Sequence, residues 1–392
     1  MTTIQKLDKY TFGTYGRLPL VAERGQGAVI YGDDNKAYID FTSGIGVSSL
    51  GYGHKKWRQA VLMQAFDIPH TSNYYYTAEY ANAAEGVCIA SGYSKVFFGN
   101  SGTEANECAV KTARKYSSDK YKTDNRGTVL TLTGSFHGRT LAMLSATGQS
   151  VFHNSFHPFP SGFEYWELDR ILQKLETDDT VCAVMFEYIQ GEGGVVNLPQ
   201  DFIDNLYNIA AKRDIIPIAD EIQTGVGRTG KFLCGEWYRT NGNQADITTL
   251  AKGLGGGLPV GVCLVNDKLA NTMGLSSHGS TFGGNAAVCA GVNAVIKVIT
   301  ADRFLDNVVK NGDYIRDKLN NSGLFGEVSG KGLMLGIEVK QPNTAEEIKH
   351  AAFDNGLLIL TAKDKLRMLP PLTITQDEID KGLEILFKVV AK

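Results

Sequence analysis

Short apolar runs alternate with helix-like segments through the middle of the chain, from about residue 51 to residue 285. The runs are rich in Val, Ile and Phe, and their apolarity is nearly continuous, which indicates strands that are buried on both faces. Strands separated by helices in this way are typical of a mostly parallel sheet with helices on both faces. We predict strands at residues 95–98, 128–132, 181–186, 215–219, 247–250 and 260–265.

The pattern changes after residue 285. A helix is predicted at 286–300, followed by apolar stretches at 328–339 and 357–361, and Thr375 with Glu378 forms a capping box that begins the last helix. Near the other end, residues 28–41 resemble a hairpin around a turn at 32–35. We therefore predict an α/β protein with three parts, namely an N-terminal segment (1–50) packed with the small domain, a large domain (51–285) and a small C-terminal α+β domain (286–392).

Composition narrows the class of protein. A chain of 392 residues suits a large domain plus a smaller one. With 39 basic and 42 acidic residues, it offers no positive excess for nucleic acid or an anionic membrane, and no apolar run approaches membrane-spanning length. The first ten residues lack the features of a secretory signal or a transit peptide, and the six cysteines are scattered among mostly apolar neighbours. We expect a cytoplasmic enzyme that acts on small molecules.

Two strand ends carry a matched pair of ionisable residues. Lys252 follows an apolar run and precedes a glycine stretch, and Asp220 follows another predicted strand 32 residues earlier (252 − 220). In open parallel sheets, ligands bind at the carboxyl ends of the strands. Pyridoxal phosphate needs an amine for its aldehyde and a carboxylate that keeps its pyridine nitrogen protonated. The pair favours this cofactor, although a lone lysine after a strand is more often a solvated end.

Residues 100–106 follow the predicted strand 95–98 and begin a helix. Unpaired backbone amides at such a helix start, with the hydroxyls of Ser101 and Thr103, form an anion site of the kind that phosphate requires. The competing interpretation is an ordinary N-cap.

Residues 133–140 follow the predicted strand 128–132. Here Phe136 could stack on a planar cofactor, and Arg139 could bind a substrate carboxylate through two hydrogen bonds. Otherwise the segment is a surface loop with a solvated arginine, and His137 only supports that loop.

Residues 187–194 follow the predicted strand 181–186 and contain Glu187 and Glu192. A carboxylate at a strand end can orient a water, a hydroxyl or a guanidinium. Two glutamates also suggest a glycosidase. Nothing else supports that alternative, since the only three tryptophans are scattered.

Residues 225–232 satisfy the dinucleotide pattern G-x-G-x-x-G and nearly satisfy a P-loop. Both interpretations are weak, because Phe232 stands where a P-loop needs a hydroxyl and no strand leads directly into the glycines. The seven histidines include no H-x-H or H-E-x-x-H pair, so we expect no metal site.

Taken in order, these segments resemble the class-III (ω-amino acid) aminotransferases, which have the aspartate-aminotransferase fold and use pyridoxal phosphate. The resemblance covers essentially the whole chain. It is carried by Asn-Ser-Gly-Thr-Glu-Ala-Asn at 100–106, Phe-His-Gly-Arg-Thr at 136–140, Asp-Glu-Ile-Gln-Thr-Gly at 220–225 and the lysine–glycine run at 252. It implies that Gly102 and Thr103 hold the phosphate beside Ser101, Phe136 stacks on the ring, Asp220 pairs with the pyridine nitrogen, Gln223 contacts the ring hydroxyl and Lys252 is the Schiff-base lysine.

The resemblance also implies how two substrates share one pocket. Arg139 takes the α-carboxylate, whereas Glu192 neutralises Arg367 for an ω-amino donor and releases it for 2-oxoglutarate. We expect Tyr15, in the segment 14–20, to contact substrate as well. Thr281 would reach the phosphate from the partner subunit, which implies a homodimer with a shared active site.

Within the family, these motifs most resemble enzymes that act on N-acetylornithine. The expected reaction moves the δ-amine of N-acetylornithine to 2-oxoglutarate, giving N-acetylglutamate semialdehyde and glutamate, as in arginine biosynthesis. Ornithine aminotransferases tend to carry a tyrosine where this chain has Ile45, which argues against free ornithine. Because residues 284–286 and 187–188 depart from the common pattern, the acyl group stays open, and succinylornithine or acetyl-lysine-type donors are alternatives. Ornithine and 4-aminobutyrate are further alternative donors, and a racemase or mutase of the same fold is a less favoured alternative.

Overall fold

The computed structural model describes residues 1–240 and 242–391. Helices and strands alternate through the middle of the chain, and short, mostly antiparallel strands occupy both ends. The α-helices are α1 (Thr3–Tyr10), α2 (Ser43–Gly46), α3 (Lys55–Asp67), α4 (Ala78–Ser91), α5 (Gly102–Tyr121), α6 (Leu141–Ala146), α7 (Leu168–Thr177), α8 (Gln200–Arg213), α9 (Ala286–Ile299), α10 (Phe304–Ser322), α11 (Ala345–Asp354) and α12 (Gln376–Val390). The strands are β1 (Ala22–Gln26), β2 (Val29–Gly32), β3 (Ala37–Asp40), β4 (Lys95–Gly99), β5 (Thr128–Leu132), β6 (Phe163–Trp166), β7 (Val181–Phe186), β8 (Ile189–Gln190), β9 (Val196–Asn197), β10 (Ile216–Asp220), β11 (Ile247–Leu250), β12 (Gly261–Val265), β13 (Phe325–Lys331), β14 (Met334–Val339), β15 (Leu357–Leu358), β16 (Leu360–Ala362) and β17 (Lys365–Met368).

A seven-stranded sheet forms the centre of the molecule, in the order β4-β12-β11-β10-β7-β5-β6. Every strand in it is parallel to the others except β12, which pairs antiparallel with both β11 and β4. All residues of β7, β10 and β11 are buried. The sequence of β7 is apolar throughout, as a strand covered on both faces requires, whereas β11 also buries Thr248 and Thr249. The predicted α/β fold with a mostly parallel sheet is confirmed.

Two features of this sheet differ from the sequence prediction. The reversed direction of β12 was not predicted, because a run that is buried on both faces shows apolarity without showing direction. The edge strand β6 was not predicted either. Its residues are half-buried or exposed, so its sequence, Phe-Glu-Tyr-Trp, lacks the signature of a central strand.

Helix α5 packs on the sheet through its small residues. Ala105, Ala109 and Ala113 recur every fourth position and are buried, so the backbone of the helix can approach β11 and β12 closely. Ser101 caps the helix by accepting a hydrogen bond from the backbone N–H of Glu104 (3.2 Å). The start of α5 is thereby placed at the carboxyl end of β4.

The two ends of the chain meet in space. Strands β1, β2 and β3 continue into β15 of the C-terminal region, where Ile39 pairs with Leu357 in parallel. The predicted capping box of α12 is present, and Glu378 also accepts a hydrogen bond from the N–H of Ala28 (3.1 Å). The domain boundaries at residues 50 and 285 stay a prediction. Among the described residues, no helix is both long and apolar enough to cross a membrane.

The segment 225–232 does not begin an α-helix, as a dinucleotide or P-loop site would require. It runs through turns into a 3-10 helix, Cys234–Trp237. Arg228 within it is buried and donates hydrogen bonds to the carbonyl oxygens of Leu333 (3.0 Å) and Pro370. Its glycine pattern therefore serves a tight structural turn that joins this loop to the C-terminal strands.

Candidate active site

A cavity of about 370 Å³ opens at the carboxyl ends of the central strands. The loops after β4, β5, β7, β10 and β11 meet there, because parallel strands present their carboxyl ends to one edge. The cavity gathers residues from the segments that follow these five strands. These lining residues include Ser101, Gly102, Thr103, Phe136, Arg139, Glu192, Asp220, Gln223 and Lys252.

Asp220 ends β10 and is buried at the cavity. One carboxylate oxygen, Oδ2, lies 2.8 Å from Asn106 Nδ2 and 2.8 Å from His137 Nδ1. The other, Oδ1, accepts the backbone N–H of Ile222 at 3.1 Å. These donors compensate for the loss of hydration and hold the carboxylate in one orientation.

The structure gives Asn106 and His137 a larger part than the sequence suggested. Asn106 donates to the backbone oxygen of His137 (2.8 Å) and accepts from the hydroxyl of Thr249 (2.7 Å), so it connects α5 to β11 and to the loop after β5. His137 supports its loop as predicted, and its ring also contacts Asp220. The one signal for Asn106 in the sequence was a polar residue beside Ala105 on the buried face of α5.

Lys252 follows β11 at the start of a 3-10 helix, Lys252–Gly255, and faces the cavity. Its backbone lies in the left-handed region, with φ of 38°, which is uncommon for a residue other than glycine. The hydroxyl of Ser49 donates to the backbone oxygen of Gly253 (2.7 Å) and so ties this turn to the N-terminal segment. Removal from water, together with the nearby charge of Arg367, lowers the pKa of Lys252. A lowered pKa favours the neutral, nucleophilic amine.

Glu187 connects two of the cavity loops. It accepts hydrogen bonds from the backbone N–H groups of Phe136 (2.9 Å) and Gly191 (3.1 Å). The aromatic ring and the glycine loop that leads to Glu192 are therefore fixed to one carboxyl group. Burial raises the pKa of Glu187 to about 7.

The start of α5 forms one end of the cavity. The N–H groups in the first turn of a helix have no acceptor within the helix, and the helix dipole adds partial positive charge there. Thr103 adds a hydroxyl, whose Oγ1 lies 3.3 Å from Thr140 Oγ1. A side chain at Gly102 would collide with Ile222, so glycine keeps the backbone of this turn close to the cavity.

Glu192 and Arg367 form an ion pair at the cavity. Glu192 Oε1 lies 2.7 Å from Arg367 Nη1, and the same nitrogen lies 3.3 Å from Gln223 Oε1. Arg367 belongs to β17 and is buried, so the C-terminal region supplies this charge to a site that the central sheet otherwise builds. Its Nε has no hydrogen-bond partner within residues 1–240 and 242–391.

Arg139 is exposed and lies against aromatic rings. Its guanidinium carbon is 4.1 Å from the centre of the Phe152 ring and 5.4 Å from that of Phe136. Across the described parts of the chain, it forms no ion pair with a carboxylate. Its charge is therefore available to an anionic group that enters the cavity.

Two predicted site residues lie outside the cavity of a single chain. Thr281 is exposed on the segment 279–285, which Asn73 holds by donating to the backbone oxygens of Ser280 (3.2 Å) and Gly283 (2.9 Å). Tyr15 is 73% exposed, and the guanidinium carbon of Arg17 lies 5.4 Å from the centre of its ring. Their roles stay predictions.

Glu221, next to Asp220, fastens the following loop. Its carboxyl group accepts hydrogen bonds from the backbone N–H groups of Cys234 and of Gly235 (2.9 Å). Burial raises the pKa of Glu221 to about 8, because the charged form loses its hydration.

Comparison with known proteins gives consistent results in sequence and in structure. The family model "Aminotransferase class-III" matches residues 12–390. The acetylornithine aminotransferase of Haemophilus ducreyi is 42% identical over 393 residues, which cover 99% of this chain and 98% of that protein.

Among solved structures, N-acetylornithine aminotransferase from Stenotrophomonas maltophilia superimposes with a TM-score of 0.85 at 32% identity, covering 99% of this chain and 98% of that one. An ornithine aminotransferase from Toxoplasma gondii, described with partial occupancy of PLP at its active site, gives a TM-score of 0.92 at 27% identity, covering 99% and 93%. Backbone similarity therefore extends to relatives that are named for different amino donors, so the backbone alone does not distinguish the donor and the side chains must.

The raised pKa of Glu221 predicts how stability depends on pH. Between about 4.5, the ordinary value, and about 8, the folded protein holds a proton that the unfolded chain has released. The free energy of unfolding therefore falls as the pH rises through this window, by up to roughly 1.4 kcal/mol per pH unit. Glu221→Gln removes the titrating group, so the variant should gain stability relative to the wild type as the pH rises.

Denaturant midpoints of both cofactor-loaded proteins at about pH 5.5 and about pH 7.5 measure this change. A stability difference between variant and wild type that stays constant across the window would contradict the raised pKa.

Proposed function

The chain belongs to the class-III aminotransferase family, and on this premise we propose that it transfers the δ-amine of N-acetylornithine to 2-oxoglutarate. The products are N-acetylglutamate semialdehyde and glutamate. The observation that carries the proposal is one cavity lined by Lys252, Asp220 and Arg139, the last without an ion-pair partner among the described residues. Glu192 of the same lining neutralises Arg367 behind it. Relatives named for acetylornithine, aligned over nearly the whole chain, support the choice of donor.

The family uses pyridoxal phosphate, which supplies an electrophilic aldehyde and an electron sink when it is bound. The cavity fits this cofactor because its polar groups match the parts of the molecule. The first turn of α5, with Gly102 and Thr103 beside Ser101, would hold the phosphate, and the ring of Phe136 would lie against the pyridine. Asp220 would pair with the protonated ring nitrogen, and Gln223 would contact the ring hydroxyl.

Lys252 is the catalytic amine. Its Nζ would form the covalent link to the cofactor aldehyde, and the same amine, once free, would be the base that accepts and returns the substrate proton. The lowered pKa of Lys252 supports this role, because an amine accepts a proton only in its neutral form. Asp220 maintains the positive charge of the ring nitrogen and so stabilises the negative charge that develops on proton removal.

Two arginines let both substrates use one pocket. Arg139 binds the α-carboxylate of N-acetylornithine, and the ion pair between Glu192 and Arg367 leaves no unpaired positive charge beside the carbon that reacts. 2-Oxoglutarate carries a second carboxylate, which competes with Glu192 for Arg367. The pair then separates, and Arg367 becomes the second carboxylate-binding group.

We propose that Ile45, two residues before Val47 of the cavity lining, makes the pocket favour an acylated donor. Ile45 is 43% exposed in a turn in which four consecutive residues, 43–46, have positive φ. A branched apolar side chain held in this conformation offers no hydrogen bond to the free α-amino group of ornithine. The acylated nitrogen of N-acetylornithine carries no positive charge, so less hydration free energy is lost when it lies beside Ile45. We expect Tyr15 to complete this side of the substrate site.

We further propose a homodimer in which Thr281 of each chain reaches the phosphate site of the other. Large apolar side chains are exposed around the loop that carries Thr281, including Tyr74 (93%), Tyr76 (106%) and Phe282 (60%). Exposed aromatic surface of this kind marks an interaction site. A second copy of the chain is the occupant that also explains why Thr281 lies outside its own cavity.

The free state of all six cysteines supports location in the cytoplasm.

The visible absorbance of the cofactor-loaded protein tests the donor directly. N-acetylornithine, ornithine and 4-aminobutyrate are titrated separately, without a keto acid. N-acetylornithine alone should bleach the absorbance at low concentration, and 2-oxoglutarate should restore it. An equal response to ornithine or 4-aminobutyrate, or no response to any of the three, would overturn the proposed donor.

Glu192→Gln tests the paired arginine. Without the carboxylate, Arg367 carries an uncompensated charge, so the ratio of kcat/KM for N-acetylornithine to that for glutamate should fall by roughly tenfold, equivalent to about 1.4 kcal/mol. Glu384→Gln, on the exposed face of α12, is the matched control and should leave the ratio unchanged. An unchanged ratio in Glu192→Gln would rule out the switch.

Thr281→Val tests the shared site when it is mixed with Lys252→Ala. A hybrid dimer holds one chain that keeps Lys252 and receives a native Thr281 from its partner. After subunit exchange, an equal mixture should therefore recover about one quarter of the wild-type activity, at a cofactor concentration where neither variant alone is active. Subunit exchange that restores no activity would place Thr281 outside the partner's site.

A further inference from the structure

The guanidinium of Arg139 is held by aromatic rings alone. Within residues 1–240 and 242–391 it has no ion-pair partner, and the ring centres of Phe152 and Phe136 lie 4.1 Å and 5.4 Å from its Cζ. The two rings meet edge to face, with centres 5.9 Å apart and planes at 81°. A guanidinium stacks on an aromatic face with its plane toward the ring, which leaves its N–H edge free for a carboxylate.

Phe152 is positioned independently of Arg139. It ends a 3-10 helix, Ser150–Phe152, and it is half-buried. Gln149, just before this helix, donates to the backbone oxygen of Ser135 (3.0 Å), and the ring of His153, just after it, lies 2.8 Å from the backbone oxygen of Thr147. The backbone is therefore held on both sides of Phe152, and its ring can orient the exposed side chain of Arg139.

We propose that Phe152 is a positioning residue for substrate recognition, because its ring holds the Arg139 guanidinium in the orientation that accepts a carboxylate. This inference rests on the proposed role of Arg139 as the binding group for the substrate α-carboxylate. An unstacked arginine at an exposed position samples many rotamers, and ordering it costs binding free energy each time a substrate enters. Stacking on Phe152 reduces that cost before the substrate arrives.

Two donors that differ only in the carboxylate separate this role from a general structural one. N-acetylornithine carries the α-carboxylate, and N-acetylputrescine is the same amide and amine without it. In cofactor-loaded Phe152→Leu, the KM for N-acetylornithine should rise roughly three- to tenfold while kcat stays within about twofold. The kcat/KM for N-acetylputrescine should stay within about twofold, because Arg139 has no group to bind in that donor.

Matched variants keep the test specific. Phe152→Tyr retains the aromatic face and should restore the KM. Phe156→Leu changes a ring nearby in the chain that is 55% exposed and should leave both donors unaffected. Equal losses for both donors in Phe152→Leu, or no loss for either, would overturn the inference.

A double-mutant cycle with Arg139→Gln distinguishes this inference from the proposal on which it rests. If Phe152 acts through Arg139, Phe152→Leu should add no further change in an Arg139→Gln background. If Arg139→Gln alone removes the discrimination between the two donors but Phe152→Leu does not weaken it, the inference about Phe152 fails and the role of Arg139 stands. If Arg139→Gln leaves the discrimination intact, both fail together.

Discussion

The buried carboxylate of Asp220 is the group on which the rest of the site depends. A charge removed from water costs several kcal/mol unless hydrogen bonds replace its hydration. Asp220 receives such bonds from Asn106 on α5, from His137 in the loop after β5 and from the backbone N–H of Ile222. Because these donors come from three separate stretches of chain, satisfying one carboxylate fixes the start of α5, the loop that carries Phe136 and the end of β10 relative to one another.

The charged side chains around the cavity act on one another, so the groups proposed to bind substrate also change the pKa of Lys252. Burial and the charge of Arg367 lower the pKa of Lys252, whereas Glu192 and Asp220 oppose that shift. Since Glu192 lies 2.7 Å from Arg367, separating this pair would change the electric field at Lys252 as well as the affinity for a second carboxylate. In the proposed reaction, substrate exchange and the proton affinity of the amine are therefore coupled through the ion pair between Glu192 and Arg367.

The two arginines of the site are kept available in different ways. Arg367 is buried in a strand of the C-terminal region, where only a carboxylate can offset the cost of its desolvation, and Glu192 provides one. Arg139 is exposed, pays little for desolvation and is ordered by an aromatic face. A carboxylate ligand must displace Glu192 to reach Arg367, but it can reach Arg139 without displacing any protein group that the structure describes.

Six of the seven central strands, and the edge of the sheet at which the candidate site lies, can be predicted from the amino-acid sequence. Runs such as residues 181–186 and 215–219 are buried on both faces, so their apolarity identifies them without knowledge of their neighbours. Since parallel strands share a direction, Asp220 and Lys252 at two strand ends had to meet at one edge. Three features could be seen only in the folded chain. They are the antiparallel direction of β12, the hydrogen bond between Asn106 and Asp220, which are 114 residues apart, and the contact of the Phe152 ring with Arg139. The periodicity of apolar residues indicates whether a residue is buried. It does not indicate which residue will pair with a charged side chain, because that partner comes from a distant segment that only folding brings into contact.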